Sequence, residues 1–352
     1  MHSVVTVLWN FNGTNGDYAQ TGLTLGPDGN FYGTTRFGGT TNVGTLFRIT
    51  PAGALTVLRS FTAAAGSNPL SGVVVNNGLL YGVAGSVYNT QVQIFSLTTA
   101  GAYTSLATFD GLNRGTFAKG GMVQATDGNF YGTTEGGGGV VYRYTPAGVQ
   151  SVVVRFTGAN GFTPEGALIQ ASDGNLYGVT SGGGASSRGT IFRLTLAGQH
   201  TVLYSIAGTG SFFLRGGLVE GDDGNFYGAL SQNGSANNGS IYRITPQGVF
   251  SIVHDFTTAT SATEGGGPWG PLLKLPGGNF IASTTFGGGG DGEGTIFRMT
   301  PQGAVTVLTR LSYSYYRVNG GFLLGPGGDY FARQSERTRE TNGAATHTAR
   351  SE

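Results

Sequence analysis

The chain contains no cysteine, which excludes a disulfide framework, a cysteine-ligated zinc site and thiol catalysis. Charge is scarce as well: 11% of the 352 residues are Asp, Glu, Lys or Arg, against roughly a quarter in ordinary globular chains. The net charge is +1, and Lys119 and Lys274 are the only lysines. A nucleic-acid surface needs a concentrated basic face, so no nucleic-acid partner is expected. No apolar run is long enough to cross a membrane, and the N-terminus lacks the basic-then-apolar layout of an export signal. No stretch shows a helical hydrophobic period.

What is abundant is glycine, with 66 residues, and it is periodic. The phrase Asp28-Gly29-Asn30-Phe31-Tyr32-Gly33 returns, intact or worn, with its turn glycine at Gly29, Gly78, Gly128, Gly174, Gly224, Gly278 and Gly328. The spacing is about fifty residues, the mark of a repeat array. Each unit reads as a short apolar run, an Asp-Gly turn, an aromatic run, a Gly-rich loop, a phrase such as Gly44-Thr45-Leu46-Phe47-Arg48-Ile49-Thr50, a Pro-Ala-Gly turn and a last β-rich run such as Leu55-Thr56-Val57-Leu58. Glycine accepts the positive φ of tight turns, and β-branched and aromatic residues fill the segments between.

Four strands at this period predict an all-β, seven-bladed β-propeller of four-stranded antiparallel blades, forming a single domain over 1–352. The blades are expected at about 18–61, 68–109, 117–156, 162–206, 213–256, 268–311 and 317–352. The segment 3–11 matches a fourth strand with no first three before it, while the last unit lacks a fourth strand. Closure of the ring by the N-terminal strand follows, and it removes exposed edges. Ala344–Arg350 makes a poor third strand, and 335–352 is rich in charge, so this segment is alternatively a loose tail.

The units "DGNFYGTTRFGGTTNVGTLFRITPAGALTVLRSF" and "DGNFYGTTEGGGGVVYRYTPAG" resemble the GloVer tandem repeats of bacterial surface proteins, and the resemblance covers nearly the whole chain. It implies a secreted or cell-surface protein and carries no shared activity. A looser similarity to streptogramin-lyase-like propellers rests on the Asp-Gly-Asn turn and the "RITP" phrase, without matching catalytic residues. A surface of Gly, Ser, Thr and Asn with few lysines agrees with an extracellular setting, and a monomer is expected.

A column that is the same in every unit builds the unit, so a site must lie where the units differ. Arg48, Arg143, Arg193, Arg243 and Arg298 repeat in the third strand and read as scaffold, their stems packed and their heads near the turn aspartates Asp28, Asp127, Asp173 and Asp223. The column just before the first strand differs in every unit: Gln20, Leu70, Lys119, Glu165, Arg215, Trp269 and Asn319. These residues are expected to ring the channel mouth on the face of the longer loops, with Tyr18, Phe117, Phe162, Phe213 and Tyr316 beside them.

Such a ring suits a glycan or a small polar or anionic molecule. Trp269 would stack, Lys119 and Arg215 would hold an anion, and Glu165, Gln20 and Asn319 would complete the hydrogen bonds. As a hydrolase or lyase it would use Glu165 as general acid or base, with Lys119 and Arg215 stabilising developing negative charge. A protein-interaction scaffold on the loop face, or rim residues that drift freely, are the remaining readings. No cofactor is expected; Asp291, Glu293 and Glu264 form the one acidic group that could hold calcium. Of the four histidines, His2, His200, His254 and His347, only His254 beside Asp255 approaches the loop face.

Overall fold

The computed structural model describes residues 5–19, 22–62, 67–85, 91–110, 117–207, 214, 216–232, 234, 236–289, 294–311, 321–333 and 345–349. The protein is a β-propeller of four-stranded antiparallel blades. Six blades take four strands consecutive in the chain. Blade 1 is Thr24–Leu25, Phe31–Thr35, Thr45–Ile49 and Leu55–Ser60. Blade 2 runs from Val74–Asn76 to Tyr103–Asp110, and blade 3 from Met122–Gln124 to Gln150–Arg155. Blade 4 runs from Ile169–Gln170 to His200–Ser205, blade 5 from Val219–Glu220 to Phe250–Asp255, and blade 6 from Gly266–Lys274 to Val305–Arg310.

A further four-stranded sheet is composite. Leu323–Leu324, Tyr330–Arg333 and Ala345–Ala349 are followed by Val5–Asn10 from the other end of the chain. Val5–Asn10 therefore takes the fourth-strand place. Ala345–Ala349 is paired on both sides, so this part of the charged segment 335–352 is a strand and not a loose tail. Val4–Val153 groups with Phe322–Glu352 as one compact unit, and Val154–Gly321 forms another.

Burial explains the composition of each strand. The second strand is buried at every position in blades 1, 3, 4 and 5. It therefore reads as a continuous apolar, threonine and glycine run and not as an alternation. In blades 1, 4 and 6 a buried threonine of the second strand is satisfied by one on the third: Thr35 and Thr45 share a hydrogen bond of 2.8 Å, Thr180 and Thr190 one of 2.9 Å, and Thr284 and Thr295 one of 3.0 Å. Gly178 sits in the second strand of blade 4 because a Cβ there would lie 2.6 Å from Cζ of the buried Phe192 on the next strand.

Aromatic pairs lock neighbouring blades, Tyr177 against Phe226 at 4.0 Å and Tyr81 against Phe130 at 4.6 Å between ring centroids. Third and fourth strands slip register at one equivalent place, Leu46/Phe47, Ile94/Phe95, Ile191/Phe192, Ile241/Tyr242 and Ile296/Phe297. A bulge there adds the local twist a blade needs.

The Asp-Gly-Asn turn is a local lock. Asp28 accepts from the Asn30 amide and side chain at 3.2 and 2.7 Å, and from the Tyr32 hydroxyl at 2.7 Å. The same set recurs at Asp127, Asp173 and Asp223. Burial raises the Asp28 carboxyl, but the hydrogen bonds from Asn30 and Tyr32 outweigh it and the net shift is downward. Burial, with Asp28 beside it, pushes the Tyr32 hydroxyl up to about 12. Arg48 stands across the ladder from Tyr32, and its charge eases that rise. The repeated arginines thus belong to the turn scaffold.

Two described elements depart from the all-β expectation: a 3-10 turn at Gly136–Gly138 and Thr258–Glu264, an α-helix between blades 5 and 6 started by a capping box of Thr257 and Thr260. No residue of the α-helix is buried, so it carries no apolar stripe from which a helical period could be read.

Candidate functional site

In the five blades whose entry is described, the chain enters through a left-handed residue placed two before the variable column. These residues are Tyr18, Asn68, Phe117, Thr163 and Gly267, with φ of 55°, 49°, 61°, 56° and 61°. Asn and Gly adopt this conformation readily, whereas for Phe, Tyr and above all β-branched Thr it is strained by roughly 1–2 kcal/mol. The carbonyl of the left-handed residue is what the blade uses. It accepts from the amide following the second strand, Arg36 to Tyr18 at 3.0 Å, Glu135 to Phe117 at 3.3 Å and Ser181 to Thr163 at 3.0 Å. In blade 6 the Thr285 hydroxyl donates to Gly267 at 3.0 Å.

This entry geometry brings the variable column beside a second variable column, the residue after the second strand. In blade 3, Lys119 Nζ lies 2.8 Å from the Glu135 carboxylate; the lysine is 42% exposed and the glutamate 12%. In blade 1 the corresponding residue is Arg36, whose guanidinium lies 5.0 Å above the Phe37 ring, with the exposed Tyr18 ring 6.1 Å from Phe37. Sequence reasoning missed Glu135, Arg36 and Phe37. The available signal was the residue following each Thr-Thr or equivalent pair, which reads Arg36, Glu135, Ser181 and Ser231 and so varies as the first column does.

Among the other residues singled out from sequence, Glu165 and Trp269 are half-buried in the unit Val154–Gly321, while Tyr18, Phe117 and Lys119 belong to the unit containing Val4–Val153. Leu70 is buried and so offers no chemistry to a mouth. Phe162 is exposed. Gln20, Phe213, Arg215, Tyr316, Asn319, Asp291 and Glu293 lie outside the described residues.

Glu264, among the described residues, meets a histidine. Its carboxylate lies 3.1 Å from Nε2 of His254, whose Nδ1 lies 3.0 Å from the Gly303 carbonyl oxygen. This ties the helix to blades 5 and 6. Among the described residues no three His, Asp or Glu side chains converge on a point that could hold a metal ion. His200 is wedged against Phe156 and Phe192, and burial lowers its pKa.

The model of the Gloeobacter/Verrucomicrobia repeat matches residues 2–138 and 84–264, together more than half of the chain. No curated protein matches. Among solved structures, an oligogalacturonate lyase in complex with manganese is 12% identical, with a TM-score of 0.60 over 98% of this chain and 92% of that one. A protein from Bacteroides uniformis named as a candidate 6-phosphogluconolactonase is 15% identical, with a TM-score of 0.55 over 86% and 90%. A puromycin hydrolase mutant is 13% identical, with a TM-score of 0.51 over 92% of this chain and 51% of that one. At these identities the likeness is one of fold. No helix among the described residues is long and apolar enough to cross a membrane.

Proposed function

The chain belongs to the Gloeobacter/Verrucomicrobia repeat family, and from that premise we propose that it is a secreted or cell-surface propeller that binds a glycan or another small polar or anionic molecule on its loop face. The reading takes seven blades, with the composite sheet as the seventh. The observation that carries it is the left-handed entry residue. At one position of the repeat, Asn68 and Gly267 meet the backbone demand at no cost, whereas Tyr18, Phe117 and Thr163 meet it under strain. Strain of this kind persists where a side chain is retained for something other than building the fold. Two of the three are aromatic, and one of these precedes the exposed cation Lys119, already oriented by Glu135.

A small polar ligand is suited by this combination of an aromatic surface and an oriented, solvent-reachable ammonium. Trp269 supplies an aromatic face and Glu165 a carboxylate in their own blades, and Gln20, Arg215, Asn319, Phe213 and Tyr316 complete the column. The extracellular placement rests on composition, two lysines in a chain rich in Gly, Ser, Thr and Asn. Fractionation of the producing cells tests it, and recovery in the cytoplasm alone would refute it.

Thermal shift of the intact protein against oligosaccharides, small carboxylates and phosphates tests the binding, because any ligand of the native state raises Tm. A saturable rise that is lost in Lys119→Ala is expected. A flat panel for the wild type refutes the reading, and turnover of a ligand abolished by Glu165→Gln replaces it with catalysis.

A further inference from the structure

Blades 1 and 4 are entered through the same loop, built twice with different side chains. In one, Gly13 and Gly16 bridge, Asp17 bridges Phe37, and Gly39 donates to Gly13 at 2.8 Å. In the other, Gly158 and Gly161 bridge, Phe162 bridges Gly182, and Gly184 donates to Gly158 at 2.7 Å. The supporting hydroxyls match too, Thr35 to the Phe37 carbonyl at 2.8 Å and Thr180 to the Gly182 carbonyl at 2.9 Å. So does the left-handed residue, Tyr18 in one copy and Thr163 in the other.

Onto this shared frame blade 1 places Tyr18, Arg36 and Phe37, where blade 4 has Thr163, Ser181 and Gly182. The frame forms without the first trio, so these three side chains are not what holds the loop together. They are nevertheless arranged. The Tyr18 and Phe37 rings meet at 48°, their centroids 6.1 Å apart, and Tyr18 is exposed. The Arg36 guanidinium lies over Phe37.

We propose that Tyr18, Phe37 and Arg36 form a binding site for an acidic sugar, a pyranose ring carrying a carboxylate or phosphate. An aromatic face packs against the apolar C–H face of a pyranose, and a guanidinium pairs with an oxyanion in fixed geometry. Asp17, in the same loop, is an acceptor for sugar hydroxyls. The proposal deepens the loop-face reading by naming its ligand class and rests on that reading for the face, but it stands on a different residue set from Lys119.

Isothermal titration of the full chain with glucuronate, glucose 6-phosphate, glucose and benzoate tests it. The decisive variant transplants the blade 4 residues, Tyr18→Thr with Arg36→Ser and Phe37→Gly, a combination the same frame already carries elsewhere in this chain. The single change Arg36→Gln keeps the rings. Saturable binding of glucuronate or glucose 6-phosphate is expected, with glucose at least about tenfold weaker and a loss of about tenfold or more in both variants. The relative strength of the two acids tells carboxylate from phosphate. Val149→Ser, an exposed change in blade 3, is expected to retain the binding.

Binding lost in Lys119→Ala but kept in the transplant overturns this site and leaves the loop-face reading standing. Benzoate binding as tightly as the acids overturns the sugar class. Absence of binding by both acids overturns the proposal, whatever the broader ligand panel shows for Lys119.

Discussion

Replacing Thr163 by Asn should make the protein more stable. Thr163 holds φ at 56°, a conformation that costs an L-residue roughly 1–2 kcal/mol and most of all a β-branched one. Asn adopts it readily, as Asn68 does at the equivalent place in blade 2. The useful part of Thr163 is its carbonyl, which accepts the Ser181 amide and hydroxyl, both at 3.0 Å, and the substitution keeps it. A gain of about 1 kcal/mol is expected.

For 352 residues the unfolding entropy is about 0.7 kcal/mol per kelvin, so about 1 kcal/mol is a rise of about 1.5 °C in Tm. Urea denaturation reads the same gain as a shifted midpoint at unchanged slope. The reverse change, Asn68→Thr, should lower stability by more, about 2 kcal/mol, because it also removes the Asn68 side-chain bond to the Arg36 carbonyl at 2.9 Å. A neutral or destabilising Thr163→Asn together with a harmless Asn68→Thr would refute the strain argument, and with it the main support for the loop-face reading. Phe117→Asn should share the gain in stability while weakening ligand binding.

The remaining predictions concern the scaffold. The Asp28, Asp127, Asp173 and Asp223 carboxyls are lowered in the fold. Their contribution is therefore full above the ordinary carboxyl range near pH 4 and is lost as pH falls through the folded values; Asp→Asn at these turns should flatten the acid limb of a Tm-against-pH curve. Tyr32 and Tyr227 are raised to about 12, so their contribution is full below about pH 10 and disappears as pH rises toward the folded value. Tyr227→Phe, losing a 2.8 Å bond to Asp223, should cost about 1–2 kcal/mol in denaturant titration and weaken the alkaline transition. Gly178→Ala drives a methyl against Phe192 and should cost about 1–3 kcal/mol by the same assay. His254→Ala, which leaves the Gly303 carbonyl and Glu264 without their partner, should cost about 1–3 kcal/mol in the same titration, with the helix the first segment to exchange its amides.

The architecture was legible in the sequence because its determinants are local. An Asp-Gly-Asn turn carries its own hydrogen bonds within four residues, Asp28 to Asn30 and Tyr32, so each copy announces a hairpin wherever it occurs, and the even spacing of copies announces blades. Val5–Asn10 could be recognised as a fourth strand because it repeats the pattern of Leu55–Ser60. The helix Thr258–Glu264 could not, since a short, wholly exposed polar helix has no hydrophobic period. The candidate site was half legible. Comparison of repeats picked out Tyr18, Phe117 and Lys119, but the left-handed backbone at Tyr18 and Phe117 is imposed by the carbonyl's partner across the blade, not by the residues themselves. Glu135 beside Lys119, Arg36 and Phe37 beside Tyr18, and Glu264 against His254 are pairs joined by strand crossing. Only the folded chain brings together residues ten or more positions apart in a sequence whose local pattern says nothing of which loop meets which.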